Sequence, residues 1–290
     1  MKQPLEFKPI SLSQLEKAES IRRASGNTQY VYSFASLFSW QEDEQYEICF
    51  CDDAFLVKNG AEGKSAYLFP CGGESGKKKL IDALIQYDKP VFYCVSDEDK
   101  EFLEAQYADE FHFEQCRNEY SYIYDKNAQI ELSGKEYKSL RHHINKGRAI
   151  AENWEIEELC SGNIERALKI NSLWAEMHCG GSLADAKAAE TALRNHSQLS
   201  MFGLIFRADG KDIAYISGSF VTPEIYDLSF CKVLDNRCNC YVKWELYRSL
   251  PEEVTTIDSE EDLGIEGLRE HKLFRHPKEL KRIWKGSYSL

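Results

Sequence analysis

The sequence predicts an α/β chain of the α+β kind, with two tandem domains, each a mixed, largely antiparallel sheet flanked by helices. Three features carry this expectation: a hairpin-linked meander of apolar strands in the second half, helical apolar spacing on either side of it, and the same succession of elements in the first half. With 290 residues, 43% of them hydrophobic and 12% aromatic, the chain has material for two cores.

In the second half, Trp154 to Leu159 reads as a strand, and the segments Asn163 to Met177 and Leu183 to His196 read as helices. Their apolar residues (Ile164, Leu168, Leu173, Met177; Leu183, Ala186, Ala189, Leu193) recur at helical spacing. Strands Met201 to Arg207 and Asp212 to Val221 meet at Ala208-Asp209-Gly210-Lys211, a hairpin signal, and Glu224 to Val233 follows the Thr222-Pro223 turn. A helix (Arg237 to Leu250), a short strand (Val254 to Asp258), a helix (Gly264 to Phe274) and a last strand (Lys281 to Tyr288) complete the order β α α β β β α β α β.

The first half runs the same way. A strand at Leu5 to Lys8 precedes a helix at Leu12 to Ala24, and Tyr46 to Cys51, Ala54 to Lys58 and Ala66 to Phe69 form a second meander. Helix Lys77 to Tyr87, strand Val91 to Val95, helix Asp97 to Tyr107 behind the N-cap candidate Ser96, and strands near Phe111 and at Tyr120 to Tyr124 follow. A period of about 145 residues indicates duplication of one α/β unit. The expected division is therefore 1–131, a linking helix 132–151, and 152–290.

Composition narrows the setting. The N-terminus MKQPLEFKPI has no apolar signal, and the longest weakly polar run, Tyr30 to Phe38, is far short of the ~20 residues a membrane helix needs, so a cytoplasmic protein without an integral membrane segment is expected. Ten cysteines at irregular positions read as reduced thiols. Cys49/Cys51 and Cys238/Cys240 have C-x-C spacing without the knuckle usual in zinc sites, so no metal is expected. A formal charge of -12 opposes nonspecific nucleic-acid binding, and any polyanion must dock locally.

One place suits that docking. "LSGKEYKSLRHHINKGR", Leu132 to Arg148, carries a net +4 inside this acidic chain. As a helix from about Gly134 to Ala151 it buries Tyr137, Leu140 and Ile144 on one stripe and places Lys138, Arg141, Asn145 and Arg148 on another, about 100° round the axis. Lys138, Arg141 and Asn145 are candidates for holding a phosphate or a tRNA end, since the Arg fork matches phosphate oxygens. A solvated helix balancing nearby acids has the same pattern.

A second stretch, "DSEEDLGIEGLREHKLFRHP", Asp258 to Pro277, sets carboxylates beside cations at a helix start. Glu260, Glu261 or Asp262 is the candidate general base, with Glu260 and Asp262 preferred. Gly264 and Gly267 permit close backbone approach by substrate, while Arg269 and Lys272, three residues apart, would steady developing negative charge. An acidic turn capping a helix is the plainer alternative. His178 beside Cys179 reads as packing, because adjacent helical residues diverge by about 100°. Trp174 and Trp244 fall among core positions.

The element order is that of the GNAT acyltransferase fold, here twice in tandem. The two stretches resemble the signatures of the bacterial family related to the C-terminal catalytic domain of phosphatidylglycerol lysyltransferase, of the forms L-x-G-K-x-Y-x-x-x-R-x-H-I-N-K and N-x-E-x-D-L-G-x-x-G-L-R-x-x-K-x-x-x-x-P. "YSFASLFSW" at Tyr32 to Trp40 and the following "YLFPCGG" resemble its N-terminal half, so the likeness spans nearly the whole chain. Departures are Asp258 in place of Asn, and Leu140 and His142 where a basic residue and Asn are common. The resemblance implies a tandem GNAT fold and aminoacyl transfer from a charged tRNA. The lipid-modifying relatives carry an integral-membrane portion that this chain lacks, so the acceptor, a small molecule or a lipid head group, stays open.

Coenzyme A is the less favoured donor. Acetyl-CoA-using relatives of this fold bind pyrophosphate on a glycine-rich loop after the fourth strand, and here that place reads Asp235 to Cys240, without glycine and with an acid. The first-half counterpart, Cys71-Gly72-Gly73-Glu74-Ser75-Gly76-Lys77, misses nucleotide-loop spacing by one residue. The expectation is a GNAT-like aminoacyltransferase with no resident cofactor; acetyl-CoA-dependent N-acetylation and noncatalytic binding of a phosphorylated ligand are the alternatives.

Overall fold

The computed structural model describes residues 5–178 and 183–289. Its strands, in chain order, are β1 Lys8–Pro9, β2 Tyr46–Cys51, β3 Ala54–Asn59, β4 Ala66–Leu68, β5 Cys71–Gly72, β6 Val91–Val95, β7 Phe111–Gln115, β8 Ser121–Asp125, β9 Trp154–Glu158, β10 Phe202–Ala208, β11 Lys211–Thr222, β12 Ile225–Val233, β13 Thr256–Asp258, β14 Glu279–Lys281 and β15 Trp284–Tyr288. The α-helices are α1 Leu15–Ala24, α2 Phe34–Trp40, α3 Glu74–Leu84, α4 Asp97–Tyr107, α5 Lys126–Glu131, α6 Lys138–Arg148, α7 Ile164–Met177, α8 Leu183–Arg194, α9 Asn239–Ser249 and α10 Glu266–Leu273.

The chain forms two compact units, Met1–Ser121 with Lys281–Leu290, and Tyr122–Leu280. The first holds an eight-stranded sheet in the order β1-β2-β3-β4-β6-β15-β7, with β5 paired to β3. Phe55, Leu56, Leu80, Ile81, Phe92 and Leu103 lie wholly buried in it. The second holds a seven-stranded sheet, β14-β8-β13-β12-β11-β10-β9. Its core gathers Tyr122, Tyr124, Phe206, Ile216, Tyr226, Val242, Leu246 and Ile257.

This division differs from the linear boundaries 1–131, 132–151 and 152–290 that the repeat suggests. The strand near Tyr120, expected to close the first domain, pairs as β8 with β13 in the second sheet. The last strand pairs instead with β6 and β7 in the first sheet. Periodicity finds strands but not their partners, because pairing is decided by tertiary register.

The basic segment is helical only from Lys138 to Arg148 and belongs to the second unit. Its predicted apolar stripe packs on α9: Leu140 and Ile144 are buried with Cys240 and Tyr241, and Tyr137 packs against them. At Gly147 a Cβ would lie 2.7 Å from the Arg237 carbonyl oxygen and 3.1 Å from Cys238 Cα, so a residue without a side chain lets the helices meet. Among the described residues, no helix is long and apolar enough to cross a membrane.

Candidate functional site

The second sheet opens where two parallel strands part. β12 and β13 pair over Ile225–Thr256, Tyr226–Ile257 and Asp227–Asp258. Beyond this point β12 runs on to Val233 while β13 ends. In-register parallel pairing sets the Asp227 and Asp258 carboxylates on one face, and both are buried. Ser219 of β11 stands in register with Asp227 on its other side, extending the row. Ser229 Oγ donates to Asp227 Oδ2 at 2.7 Å, while Asp227 Oδ1 and Ser219 Oγ have no hydrogen-bond partner among the described residues. Burial, followed by the neighbouring Asp258 charge, pushes the Asp227 pKa well above the carboxylate range.

The acidic bend grows from this row. Glu260 has a left-handed backbone (φ 57°), its N–H donates to Asp258 Oδ1 at 3.0 Å, and its carbonyl accepts from Tyr122 N–H at 3.1 Å. Its side chain is half-buried, and burial with the nearby Asp227 and Glu261 raises its pKa well above the usual value. Lys272 of α10 is buried; its ammonium donates to the Ser259 carbonyl and lies 5.6 Å from the Tyr122 ring centroid. Burial lowers the Lys272 pKa against the pull of Glu260 and Glu261.

Asp262, preferred from sequence as a base alongside Glu260, is placed differently. It is fully buried, and Arg269 clamps it with Nε at 2.9 Å and Nη2 at 2.7 Å. The Tyr122 hydroxyl donates to it at 2.6 Å and the Gly264 N–H at 2.8 Å. Burial opposes ionisation, but the Arg269 pair and these donors outweigh it and hold the pKa well below the carboxylate range. A carboxylate that firmly ionised and saturated is a poor proton acceptor. Asp262 and Arg269 therefore tie the bend together, and Gly264, with φ +73°, serves the turn through its N–H.

The basic helix is also placed differently from expectation. Lys138 and Asn145 are exposed, but Arg141 Nη1 donates to the Leu132 and Gly134 carbonyls, fixing the turn before the helix. The residue that α6 brings towards α10 is His143, whose ring meets Phe274 edge-on at 5.2 Å. Beside that contact lies an open cleft of about 540 Å³, lined among others by His143, Asn236, Asn239, Gly267, His271 and Phe274. A Cβ at Gly267 would meet nothing within 4 Å, so packing does not demand glycine there. Gly267 thus lines the cleft, while Lys138, Arg141, Asn145, Glu260 and Asp262 are not among its walls.

Three basic groups escaped sequence reasoning: His271 in the cleft wall, and Lys243 and Arg275 buried next to it. Lys243, 9% exposed, approaches His271 Nε2 at 3.3 Å, and Arg275, 1% exposed, lies with its Cζ 5.3 Å from the Tyr247 ring centroid. In the sequence they sit among apolar helical positions and beside the expected end of a helix, and only their burial singles them out.

The places considered for nucleotide-type donors are filled. At the start of α9, Asp235 accepts from Arg237 N–H and from its guanidinium at 3.0 Å, and α6 covers the Arg237 carbonyl through Gly147. In the first unit the Asp53 carboxylate occupies the Gly72–Gly76 loop: a Cβ at Gly73 or Gly76 would lie 1.9 or 2.4 Å from its oxygens. An acid at a helix N-terminus repels phosphate. Trp174 is half-buried and stacks on His178 at 4.4 Å, while Trp244 donates to the Ile130 carbonyl at 3.1 Å. Cys179 lies outside the described residues. Among the described residues, no group of three or more His, Cys, Asp and Glu is arranged to hold a metal.

Comparison with known proteins places this architecture. The family model described as phosphatidylglycerol lysyltransferase, C-terminal, matches residues 22–284. A conserved protein of unknown function from Bacteroides thetaiotaomicron is 26% identical and superposes with a TM-score of 0.90, over 98% of this chain and 100% of that one. The structure of L-PGS from Bacillus licheniformis is 14% identical with a TM-score of 0.67, over 100% of this chain and 94% of that one. The structure of FemX is 8% identical with a TM-score of 0.64, over 99% and 98%. No curated protein matches the chain by sequence. The fold is the tandem GNAT-like α+β architecture, and the chain belongs to the family of the C-terminal region of phosphatidylglycerol lysyltransferase.

Proposed function

We propose that this chain is an aminoacyltransferase that takes an aminoacyl group from a charged tRNA and passes it to an acceptor hydroxyl or amine. The observation that carries this reading is the closed N-terminus of α9. Where a coenzyme A pyrophosphate would need bare backbone N–H groups, Asp235 takes the Arg237 N–H and α6 rests on the Arg237 carbonyl. A family named for lysyl transfer to phosphatidylglycerol supports an aminoacyl group as cargo, with a lipid head-group hydroxyl among the acceptor classes.

Glu260 is the base in this proposal. Burial, with the nearby Asp227 and Glu261, raises its affinity for a proton, the direction a general base needs, and it stands beside the opening between β12 and β13. As the acceptor oxygen or nitrogen bonds to the ester carbonyl carbon, Glu260 takes its proton. The tetrahedral intermediate then expels the ribose oxygen, which recovers the proton from Glu260. Lys272 supplies positive charge to the developing oxyanion. No enzyme-linked intermediate is needed, because orientation of two bound reactants provides much of the rate.

The test is incubation of the protein with tRNAs charged with labelled amino acids and a cell extract containing lipids. Transfer of label to a new product, dependent on Glu260, is expected. Complete retention of label on tRNA with every amino acid would remove the reading.

A further inference from the structure

We propose that Lys243 and Arg275, buried next to the cleft and reached from it past the His271 side chain, bind the phosphate of a phosphate ester. Such a site would hold the phosphate of one of the two substrates of the transfer proposed above and rests on that reading for its role, while binding itself is measured without turnover.

Two buried charges here lack partners. Lys243 and Arg275 are 9% and 1% exposed, and among the described residues neither forms an ion pair. Arg275 has all three guanidinium nitrogens, Nε, Nη1 and Nη2, buried without a hydrogen-bond acceptor. Among the described residues, the polar contact of the Lys243 ammonium is with His271 Nε2, at 3.3 Å. A buried guanidinium keeps its charge, and nature seldom leaves one without an acceptor.

The groups around it are also unfilled. The Tyr247 hydroxyl lies close enough to Arg275 to feel its guanidinium but makes no hydrogen bond of normal geometry among the described residues, and Asn239 Oδ1, at the cleft, is buried without a partner among them. The positive field is strong enough to keep His271 neutral: Lys243 first, then burial and Arg275, push its pKa down to about 3. Neutral His271 is then the acceptor for the Lys243 ammonium. Glu270, exposed on the rim, is the acid lining the cleft, and no carboxylate is among the strongest influences on Lys243.

A fork of guanidinium donors, an ammonium and a tyrosine hydroxyl match the oxygens of a phosphate group. Size agrees as well, since the cleft of about 540 Å³ has room for the organic portion of an ester outside His271. Water alone would satisfy hydrogen bonds but leave two buried like charges uncompensated.

The experiment titrates the full chain with inorganic phosphate, glycerol 1-phosphate and AMP at constant ionic strength, following thermal midpoint and heat of binding. Saturable binding of at least one probe is expected, weakened at least tenfold in Arg275→Gln and in Lys243→Met and unchanged in the exposed control Lys211→Gln. Tighter binding of glycerol 1-phosphate than of AMP assigns the site to a lipid head group, and the reverse order to a nucleotide end. If none of the three probes gives a saturable response with the wild-type protein, or if both variants bind as the wild type does, the proposal is overturned. The wild-type arm stands even if a variant does not fold. Failure of aminoacyl transfer leaves this test untouched.

Discussion

Asp227 and Asp258 stand side by side at the last paired position of β12 and β13, immediately before the two strands separate. Two buried carboxylates in register are an unfavourable arrangement that packing alone does not require. Burial of Glu260 raises its affinity for a proton first, and these two carboxylates, with Glu261, raise it further.

Glu260→Gln should abolish most transfer without unfolding the protein. A general base contributes roughly 10²–10⁴-fold, so a loss of at least 100-fold in kcat is expected with KM little changed. Stability should respond in the opposite direction. An acid whose folded pKa is raised binds protons in the folded state that the unfolded chain has released, so wild-type stability falls as pH rises above about 4.3. Urea midpoints against pH should fall less steeply in Glu260→Gln than in wild type.

Asp262→Asn tests the structural role assigned to that residue. It loses a charged clamp to Arg269, and the loss should be about 2–3 kcal/mol at neutral pH. Because the folded pKa is depressed, the stabilisation is complete above the unfolded value of about 3.9 and is lost as pH falls towards the folded one. The urea midpoints of variant and wild type should therefore converge in acid. A constant gap down to pH 2 would mean that the carboxylate charge is irrelevant.

Gly147→Ala places a methyl 2.7 Å from a backbone oxygen that cannot swing away. Alanine favours a helix interior by roughly 0.5–1 kcal/mol over glycine, but overpacking costs about 1–3 kcal/mol. Net destabilisation is expected in urea unfolding, and a more stable variant would show that α6 and α9 are not held at this spacing.

Lys243→Met should be neutral or stabilising in the absence of phosphate, since a buried unpaired cation gives way to an apolar chain. Burial lowers the Lys243 pKa to about 8. The folded state therefore releases its proton before the unfolded chain does, and wild-type stability gains from this group as pH rises from about 8 to 10.4. The variant should lack that gain when melting curves of the two proteins are compared across this range.

Much of the second unit was legible in the sequence. The hairpin at Asp209-Gly210 and the alternation around it gave the meander, and the stripe Tyr137, Leu140, Ile144 gave the buried face of α6. Local spacing reports local structure. It does not report that β15 crosses to the first sheet, that Asp227 meets Asp258, or that Arg141 spends Nη1 on two carbonyls. The short helices α2 and α5 were missed because 7 and 6 residues give too few turns for a period to register. Lys243 and Arg275 were missed for a related reason: the same letter stands for a solvated cation and for a buried one.

The central claim, that Glu260 serves as base in transfer from an aminoacyl ester, is tested most directly by single-turnover transfer of a labelled aminoacyl group. Wild type, Glu260→Gln and Glu260→Asp would be compared between pH 5 and 9. The account predicts a wild-type rate that rises with pH to a plateau, a pH-independent residual rate at least 100-fold lower in Glu260→Gln, and partial recovery in Glu260→Asp. Equal rates and equal pH profiles for wild type and Glu260→Gln would contradict it.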